Sequence, residues 1–189
     1  MIIAITGFMG SGKTTATRFF PRSWKRISAD SLGHALLEDP RVIKRLTTAF
    51  GKDIIKKHTI NRPLLAKYAF LHKKNIKKLN RIMHPALRKK LLQEIKKVRR
   101  KRENAVLDCA LIQELRLEKL VDVTLLIAAP SSLCRKLATK WSKKEITERT
   151  QFQNGFLNPD FIITNTGSKN DLKQAVVKIV TALEHSRRQ

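Results

Sequence analysis

The chain is poor in cysteine, in acidic side chains and in aromatic residues. Of its 189 residues, 2 are cysteines, 15 are acidic and 6% are aromatic. Cys109 and Cys134 stand apart with no C-x-x-C motif, so we expect reduced thiols rather than a disulfide framework or a metal site. No apolar run approaches the ~18 residues of a membrane span, and residues 1–9 lack the basic stretch of a signal peptide. These absences predict a cytoplasmic protein that does not span a membrane.

The shortage of acidic residues leaves a large positive charge. The 40 lysine and arginine residues give a formal net charge of +25 and a pI near 10.7. A polyphosphate ligand accounts for a few of these cations, and the excess would also suit nucleic acid or an acidic surface. The densest basic block, residues 96–102, ends a segment with apolar residues at helical spacing, so we expect its cations on the solvent side of an amphipathic helix.

Residues 7–14, with the sequence GFMGSGKT, match the phosphate-binding P-loop pattern G-x-x-x-x-G-K-[ST]. Its glycines let the backbone adopt positive φ angles and turn its N–H groups inward around an anion. Lys13 is expected to contact the β- and γ-phosphates of a nucleotide, and the Thr14 hydroxyl is expected to bind its Mg²⁺ ion. The predicted ATP-binding residues of the loop are Gly7, Gly10, Ser11, Gly12, Lys13, Thr14 and Thr15.

The segments on either side of the P-loop fit a strand and a helix. The apolar, β-branched run at residues 2–5 predicts a strand, and residues 14–20 predict a helix that Pro21 ends. Such a helix directs the positive end of its dipole towards bound phosphates. The motif therefore has the strand, loop and helix context that its function requires, and we predict that ATP binds there with Mg²⁺.

Apolar segments of strand length alternate with longer helical patterns along the rest of the chain. Strands are predicted at residues 2–5, 26–28, 105–107, 123–127 and 161–163. Helices are predicted at residues 32–37, at 41–50 before Gly51, from a cap at Asn61 to Leu71, from Pro85 to about 101, from Ser131, from Lys143, and up to His185. This alternation predicts a three-layer α/β fold around a five-stranded parallel sheet, within a single domain.

Two aspartates directly follow predicted strands. Because parallel strands bring their carboxyl ends to one edge of the sheet, we expect Asp30 and Asp108 on the side of the P-loop. Asp30 suits the orientation or deprotonation of an attacking hydroxyl, and the alternative is an N-terminal cap ahead of the helix at Leu32. Asp108 ends an apolar strand as a Walker B acid does and could hold a magnesium-bound water, or could be structural only. No function is assigned to the histidines without metal-ligand spacing, His34, His58 and His72.

The order and spacing of several short motifs resemble those of the dephospho-CoA kinase family. After the P-loop, residues 27–30 (ISAD) are similar to the D-A-D motif at the family's second strand, and His84-Pro85 is similar to its H-P pair. Residues 108–114 (DCALIQE) are similar to D-x-P-L-L-x-E, and residues 159–167 (PDFIITNTG) are similar to A-D-x-V-I-x-N-x-G. The resemblance extends over nearly the whole chain.

This resemblance implies an enzyme that uses ATP and Mg²⁺ to phosphorylate the ribose 3′-hydroxyl of dephospho-CoA, which gives coenzyme A. Asp30 would be the general base, and Lys13 would act on the transferred phosphate. The acceptor-binding residues implied are His84, Asp108 and Glu114. The ATP-binding residues implied beyond the P-loop are Arg135, Lys140 and Asn165.

The resemblance also implies three regions within the single domain. A P-loop kinase core would comprise residues 1–30, 104–130 and 159–189, approximately. A helical acceptor-binding region would comprise residues 31–103, and a helical lid at about 131–156 would close over ATP. We expect the protein to act as a monomer on two small-molecule substrates, ATP and dephospho-CoA.

The chain departs from the family pattern at Ser28, which replaces the first aspartate of D-A-D, and most clearly in the predicted lid. There Lys140-Trp141 stands where Arg-Asp is usual. Because lysine cannot make the bidentate phosphate contact of arginine, Arg135 or Arg149 would have to compensate, or ATP turnover would be slow.

Two alternatives to the dephospho-CoA kinase interpretation stay open. One is a different P-loop kinase of similar architecture that acts on a nucleoside or nucleotide. The other is a basic P-loop protein that binds nucleic acid and has lost kinase activity through its altered lid, for which we expect binding that weakens steeply as salt increases.

Overall fold

The computed structural model describes residues 1–56, 58–137 and 158–187, with residues 135–137 described by their backbone alone. Contacts within the chain define two compact units. The first unit comprises Met1–Ser28 and Ile95–Gln189, and the second comprises Ala29–Glu94. The second boundary falls inside a long helix rather than in a linker, so one helix contributes residues to both units.

The helices and strands follow in the order that the sequence predicts for an α/β fold. The strands are β1 (Ile2–Thr6), β2 (Lys25–Ser28), β3 (Ile55–Lys56), β4 (Thr59–Ile60), β5 (Ala105–Asp108), β6 (Val123–Ala128) and β7 (Phe161–Thr164). The helices are α1 (Lys13–Thr17), α2 (Ala29–Leu36), α3 (Pro40–Phe50), α4 (Arg62–Leu71), α5 (Lys73–Lys101), α6 (Ser131–Leu137) and α7 (Lys169–Ser186), with 3₁₀ turns at Lys52–Ile54 and Glu118–Leu120.

The first unit is built on a five-stranded sheet with the strand order β2-β5-β1-β6-β7. Each pair of neighbouring strands runs parallel, which confirms the predicted sheet. Every residue of β1, the central strand, is buried. Since side chains alternate between the two faces of a sheet, the centre of this sheet is covered on both faces. On one face, Ile3 and Ile5 belong to a core cluster with Val176 and Val180 of α7.

Helix α1 is shorter than predicted, because it ends at Thr17 and not at Phe20. The backbone N–H groups of Arg18 and Phe19 donate to carbonyl groups three residues earlier, at 3.1 and 3.0 Å. Such bonds tighten the chain into a turn and end the α-helical pattern. The strand, loop and helix context of the P-loop is confirmed despite this difference.

Helix α5 begins twelve residues before its predicted start. Pro85 is common at the first position of a helix, which is why the sequence suggested a start there, but it lies inside a helix of 29 residues that begins at Lys73. Ile82 and Leu87 on either side of the proline are buried, so packing supports the helix through this position. Among the described residues, no helix combines the length and the apolar character that a membrane span requires.

The basic block of α5 lies on its solvent side, as predicted. Ile95 and Val98 of this helix are buried. The cations of the block are exposed, and these are Lys96, Lys97, Arg99, Arg100, Lys101 and Arg102. Arg99 also donates to both carboxylate oxygens of Asp122, at 2.9 and 2.7 Å. Much of the positive charge of this block is therefore hydrated.

Two predicted helix boundaries in the second unit are confirmed. The Asn61 side chain caps α4 by accepting from the backbone N–H of Leu64 at 3.2 Å. Gly51 ends α3 with a φ angle of 99°. The antiparallel hairpin of β3 and β4 between these helices was not predicted, because each strand has only two residues. The predicted helix from Lys143 lies outside the described residues.

Candidate active site

The P-loop connects β1 to α1 at the carboxyl edge of the sheet. Gly7, Gly10 and Gly12 have φ angles of 141°, 77° and 99°. A β-carbon added at Gly12 would lie 2.5 Å from Nδ2 of Asn165, and one added at Gly10 would collide with the carbonyl group of Cys134. At these two positions, any other residue would strain the backbone and push neighbouring groups away.

Asn165 attaches the P-loop to the end of β7. Its buried Nδ2 group donates to the backbone carbonyl of Ser11 at 2.8 Å, and its Oδ1 atom accepts from the N–H of Gly167 at 3.0 Å. The N–H of Ser11 in turn donates to the carbonyl of Phe8 at 3.1 Å. The predicted ATP-binding role of Asn165 stays a prediction, and the structure adds that this side chain supports the loop backbone.

We expect the substitution Asn165→Ala to lower the free energy of unfolding by about 1–3 kcal/mol, because it leaves the buried Ser11 carbonyl without its partner. Urea denaturation measures this loss. The exposed Asn170 supplies the matched control, since Asn170→Ala should change stability by less than about 0.5 kcal/mol. Equal stability of the Asn165→Ala variant and the native chain would show that the hydrogen bond to Ser11 does not stabilise the loop.

The side chain of Thr14 lies beside Asp108, and that of Lys13 folds back onto the P-loop. Lys13 Nζ donates to the carbonyl of Phe8 at 2.9 Å, and the Thr14 hydroxyl donates to Asp108 Oδ2 at 3.1 Å. Asp108 ends β5, where it is in register with Ile5 of β1. The sequence predicted Asp108 directly after a strand at this edge, and the structure places it as the last residue of β5, in contact with Thr14 of the loop. Thr15, the last of the predicted loop residues, lies within α1.

The pair of Thr14 and Asp108 fits a magnesium ion bound together with a nucleotide. Both supply oxygen atoms, which Mg²⁺ prefers, and these atoms are 3.1 Å apart. In the residues that the structure describes, no group of three or more His, Cys, Asp or Glu side chains could hold a metal ion by itself. A magnesium ion at this position would therefore complete its coordination with phosphate oxygens and water.

The negative charge of Glu114 acts on Cys109, the residue that follows Asp108 at the end of β5. Burial raises the pKa of the Cys109 thiol to about 12, and the negative charges of Asp108 and Glu114 add to this increase, while Lys13 opposes it. These charged groups are thus close enough to Cys109 to act on one thiol. The structure places the predicted acceptor residue Glu114 in the unit that carries the P-loop, and Cys109 is a neutral core thiol at physiological pH.

Asp30 lies in the second unit, as the second residue of α2. Because α2 begins at Ala29, the alternative of an N-terminal cap ahead of Leu32 was wrong. The side chain of Asp30 is 86% exposed, and its Oδ1 atom lies 3.7 Å from Nε2 of His34. That same Nε2 atom lies 2.6 Å from Nη2 of Arg62. Sequence reasoning missed both partners, although the spacing of four residues in a helix brings Asp30 and His34 together.

His84 lies in the middle of α5, within the second unit. Partial burial lowers its pKa from the usual value, so the neutral imidazole is favoured at neutral pH. A neutral imidazole can donate from one nitrogen and accept at the other. The role of His84 in binding the acceptor stays a prediction.

Most of the predicted lid lies outside the described residues. Arg135 belongs to α6, of which the structure describes the backbone at this position. Lys140, Trp141 and Arg149 are not among the described residues. The expected contacts of Arg135 and Lys140 with ATP therefore stay predictions.

The strand order, the P-loop after the first strand and the aspartate that accepts from the P-loop threonine define the class of this protein. They are the features of a P-loop kinase fold with its phosphate-binding site. The family model described as dephospho-CoA kinase matches residues 1–170. The chain belongs to the dephospho-CoA kinase family, which confirms the resemblance inferred from its motifs.

Individual relatives are similar to this chain over nearly its whole length. A dephospho-CoA kinase from Dehalococcoides mccartyi is 31% identical over 185 residues, which cover 93% of both chains. A dephospho-CoA kinase from Wolinella succinogenes is 30% identical over 191 residues, which cover 96% of this chain and 94% of the relative. The crystal structure of a protein from Thermus thermophilus has a TM-score of 0.74 and 26% identity, with 97% of each chain covered.

Proposed function

We propose that this chain transfers the γ-phosphoryl group of ATP to the ribose 3′-hydroxyl of dephospho-CoA and so produces coenzyme A and ADP. The observation that carries the proposal is the family match over residues 1–170, which include the P-loop and the whole of the second unit. The geometry of the P-loop supports the same reaction, because its glycines, Lys13 and Thr14 are arranged as phosphoryl transfer requires.

The P-loop holds the triphosphate in this proposal. Its backbone N–H groups surround the phosphates, and Lys13 exchanges its bond to the Phe8 carbonyl for contacts with the β- and γ-phosphates. Thr14 would bind Mg²⁺ directly and Asp108 would bind it through water. When bound, this ion neutralises negative charge on the phosphate oxygens.

Asp30 acts on the acceptor hydroxyl. It follows Ser28 by two residues, and Ser28 is in register with Asp108 in the sheet. The carboxylate of Asp30 accepts the proton of the 3′-hydroxyl while the 3′-oxygen bonds to the γ-phosphorus and the bond from that phosphorus to the β,γ-bridging oxygen breaks. His84, Asp108 and Glu114 are proposed to bind the acceptor. The replacement of the family's first aspartate by Ser28 leaves this base in place.

A panel of acceptors tests the proposed reaction. ADP release is measured with Mg·ATP and either dephospho-CoA, AMP or a nucleoside, and mass spectrometry identifies the phosphorylated product. We expect turnover with dephospho-CoA and at least 10-fold less efficient turnover with the others, because they lack part of the acceptor. Turnover with AMP or a nucleoside and none with dephospho-CoA would assign the chain to a different acceptor. Binding of ATP without turnover of any acceptor would reject the kinase proposal.

A further inference from the structure

Three side chains of the second unit, Asp30, His34 and Arg62, lie next to one another, and the proposed phosphoryl transfer gives a role only to Asp30. The guanidinium of Arg62 can only donate hydrogen bonds, so its contact of 2.6 Å with His34 Nε2 makes this nitrogen the acceptor. The proton of the neutral imidazole then resides on Nδ1. His34 Nε2 is thus occupied by Arg62 and does not donate to Asp30, whose oxygen lies 3.7 Å away.

The contact with His34 places the permanent positive charge of Arg62 near Asp30, the proposed general base. Since the two contacts share one nitrogen atom, Arg62 Nη2 lies no more than about 6.3 Å from Asp30 Oδ1. The guanidinium donates to the histidine and leaves the exposed carboxylate of Asp30 available for a hydroxyl proton. His34 therefore sets the position of the Arg62 charge relative to Asp30.

Arg62 also lines a shallow depression of about 370 Å³ that is open to solvent on the surface of the second unit. Because this depression is open, its lining can contact one side of a bound group without enclosing it. The lining residues include two cations and no acid, and they are Lys56, Thr59, Ile60, Asn61, Arg62 and Pro63. The composition of this lining favours an anionic group.

On the basis of the proposed function, we propose that Arg62 binds the 5′-diphosphate of the acceptor and that His34 is the positioning residue that holds the guanidinium for this contact. In dephospho-CoA, five covalent bonds separate the 3′-oxygen from the nearer phosphorus of the diphosphate. When the 3′-hydroxyl is at Asp30, the diphosphate therefore lies within reach of the Arg62 side chain. Arginine suits this contact, because its planar fork donates two parallel hydrogen bonds to phosphate oxygens.

Steady-state kinetics with dephospho-CoA and Mg·ATP test the proposal through Arg62→Ala. The loss of a hydrogen bond to a charged group costs about 1.5–3 kcal/mol, so we expect the KM for dephospho-CoA to rise by about 10- to 100-fold. The KM for ATP and the kcat at saturating acceptor should stay within about threefold. Calorimetric titration of dephospho-CoA into the protein without ATP should show the same weakening. The matched control is Lys67→Ala, which removes an exposed cation from the same helix and should leave both constants unchanged.

Variants of His34 test its positioning role. His34→Leu removes the acceptor of the Arg62 hydrogen bond, and we expect the KM for dephospho-CoA to rise by about 3- to 10-fold. His34→Gln offers an amide oxygen to the same guanidinium and should restore the KM to within about twofold of the native value. His34 is substantially exposed, so circular dichroism should show native folding for both variants. Equal KM values for His34→Leu and His34→Gln would remove His34 from the proposal.

Two results would overturn the assignment of Arg62 to the diphosphate. An unchanged acceptor KM for Arg62→Ala would show that the guanidinium does not contact the acceptor. A turnover rate that falls by 10-fold or more while the acceptor KM is unchanged would place Arg62 on the transferred phosphoryl group instead. Failure of the proposed function is distinguishable from both, because the native chain would then neither bind nor phosphorylate dephospho-CoA.

Discussion

Replacement of Lys13 by alanine is expected to slow ATP-dependent phosphorylation, with kcat reduced by at least 10²- to 10³-fold. Phosphoryl transfer depends on positioning and on neutralisation of the phosphate oxygens, and the loss of one preorganised donor of this kind costs about 2.7–4 kcal/mol of transition-state stabilisation. Lys13 donates to the Phe8 carbonyl at 2.9 Å, so its ammonium group already lies over the loop that receives the phosphates. ADP release under saturating ATP and dephospho-CoA measures the effect.

Lys119→Ala provides the matched control for this substitution. Lys119 is an exposed lysine of the same unit, in the 3₁₀ turn at Glu118–Leu120, and its loss changes the net charge of the protein equally. If general electrostatic attraction of ATP by a protein of charge +25 were the main effect, both variants would lose activity to a similar extent. Native kcat for Lys13→Ala would contradict the role of the P-loop in phosphoryl transfer.

The sheet and the P-loop could be predicted because their signals are local. The β1 segment is a run of isoleucine and alanine that ends at the motif, and the parallel strands β5 and β6 are similar apolar runs. Buried parallel strands require such runs, since both of their faces are covered. The position of Asp108 followed from the same rule, because a residue at the carboxyl end of a strand next to β1 has to lie beside the P-loop.

The contacts that were missed depend on residues far apart in the chain. Arg62 meets His34 across 28 residues, and Asn165 meets the Ser11 carbonyl across 154 residues. No periodic pattern records such pairs. The start of α5 was missed for a different reason. Local preference places Pro85 at the first position of a helix, but the packing of Ile82 and Leu87 overrides that preference.

The substitution Asp30→Asn is expected to lower kcat by about 10²- to 10⁴-fold while the affinity for ATP stays within about twofold. The amide has the same size as the carboxylate but cannot accept the proton of the 3′-hydroxyl, and general-base catalysis contributes an effect of this magnitude. ATP affinity should be preserved because the phosphate-binding groups belong to the P-loop in the first unit, whereas Asp30 belongs to the second. Single-turnover kinetics and calorimetry with Mg·ATP measure the two quantities separately.

A structural role for Asp30 makes a different prediction, which stability measurements can separate from catalysis. Asp30 lies in the first turn of α2, where a carboxylate stabilises the helix by about 0.3–1 kcal/mol through its interaction with the helix dipole. If the role of Asp30 were purely structural, the Asp30→Asn variant would lose that amount of stability and keep the native kcat. Glu38→Gln, which neutralises another exposed carboxylate of the second unit, should leave kcat unchanged. Since the Asp30 side chain is 86% exposed, a large fall in kcat at nearly native stability would assign Asp30 to the reaction.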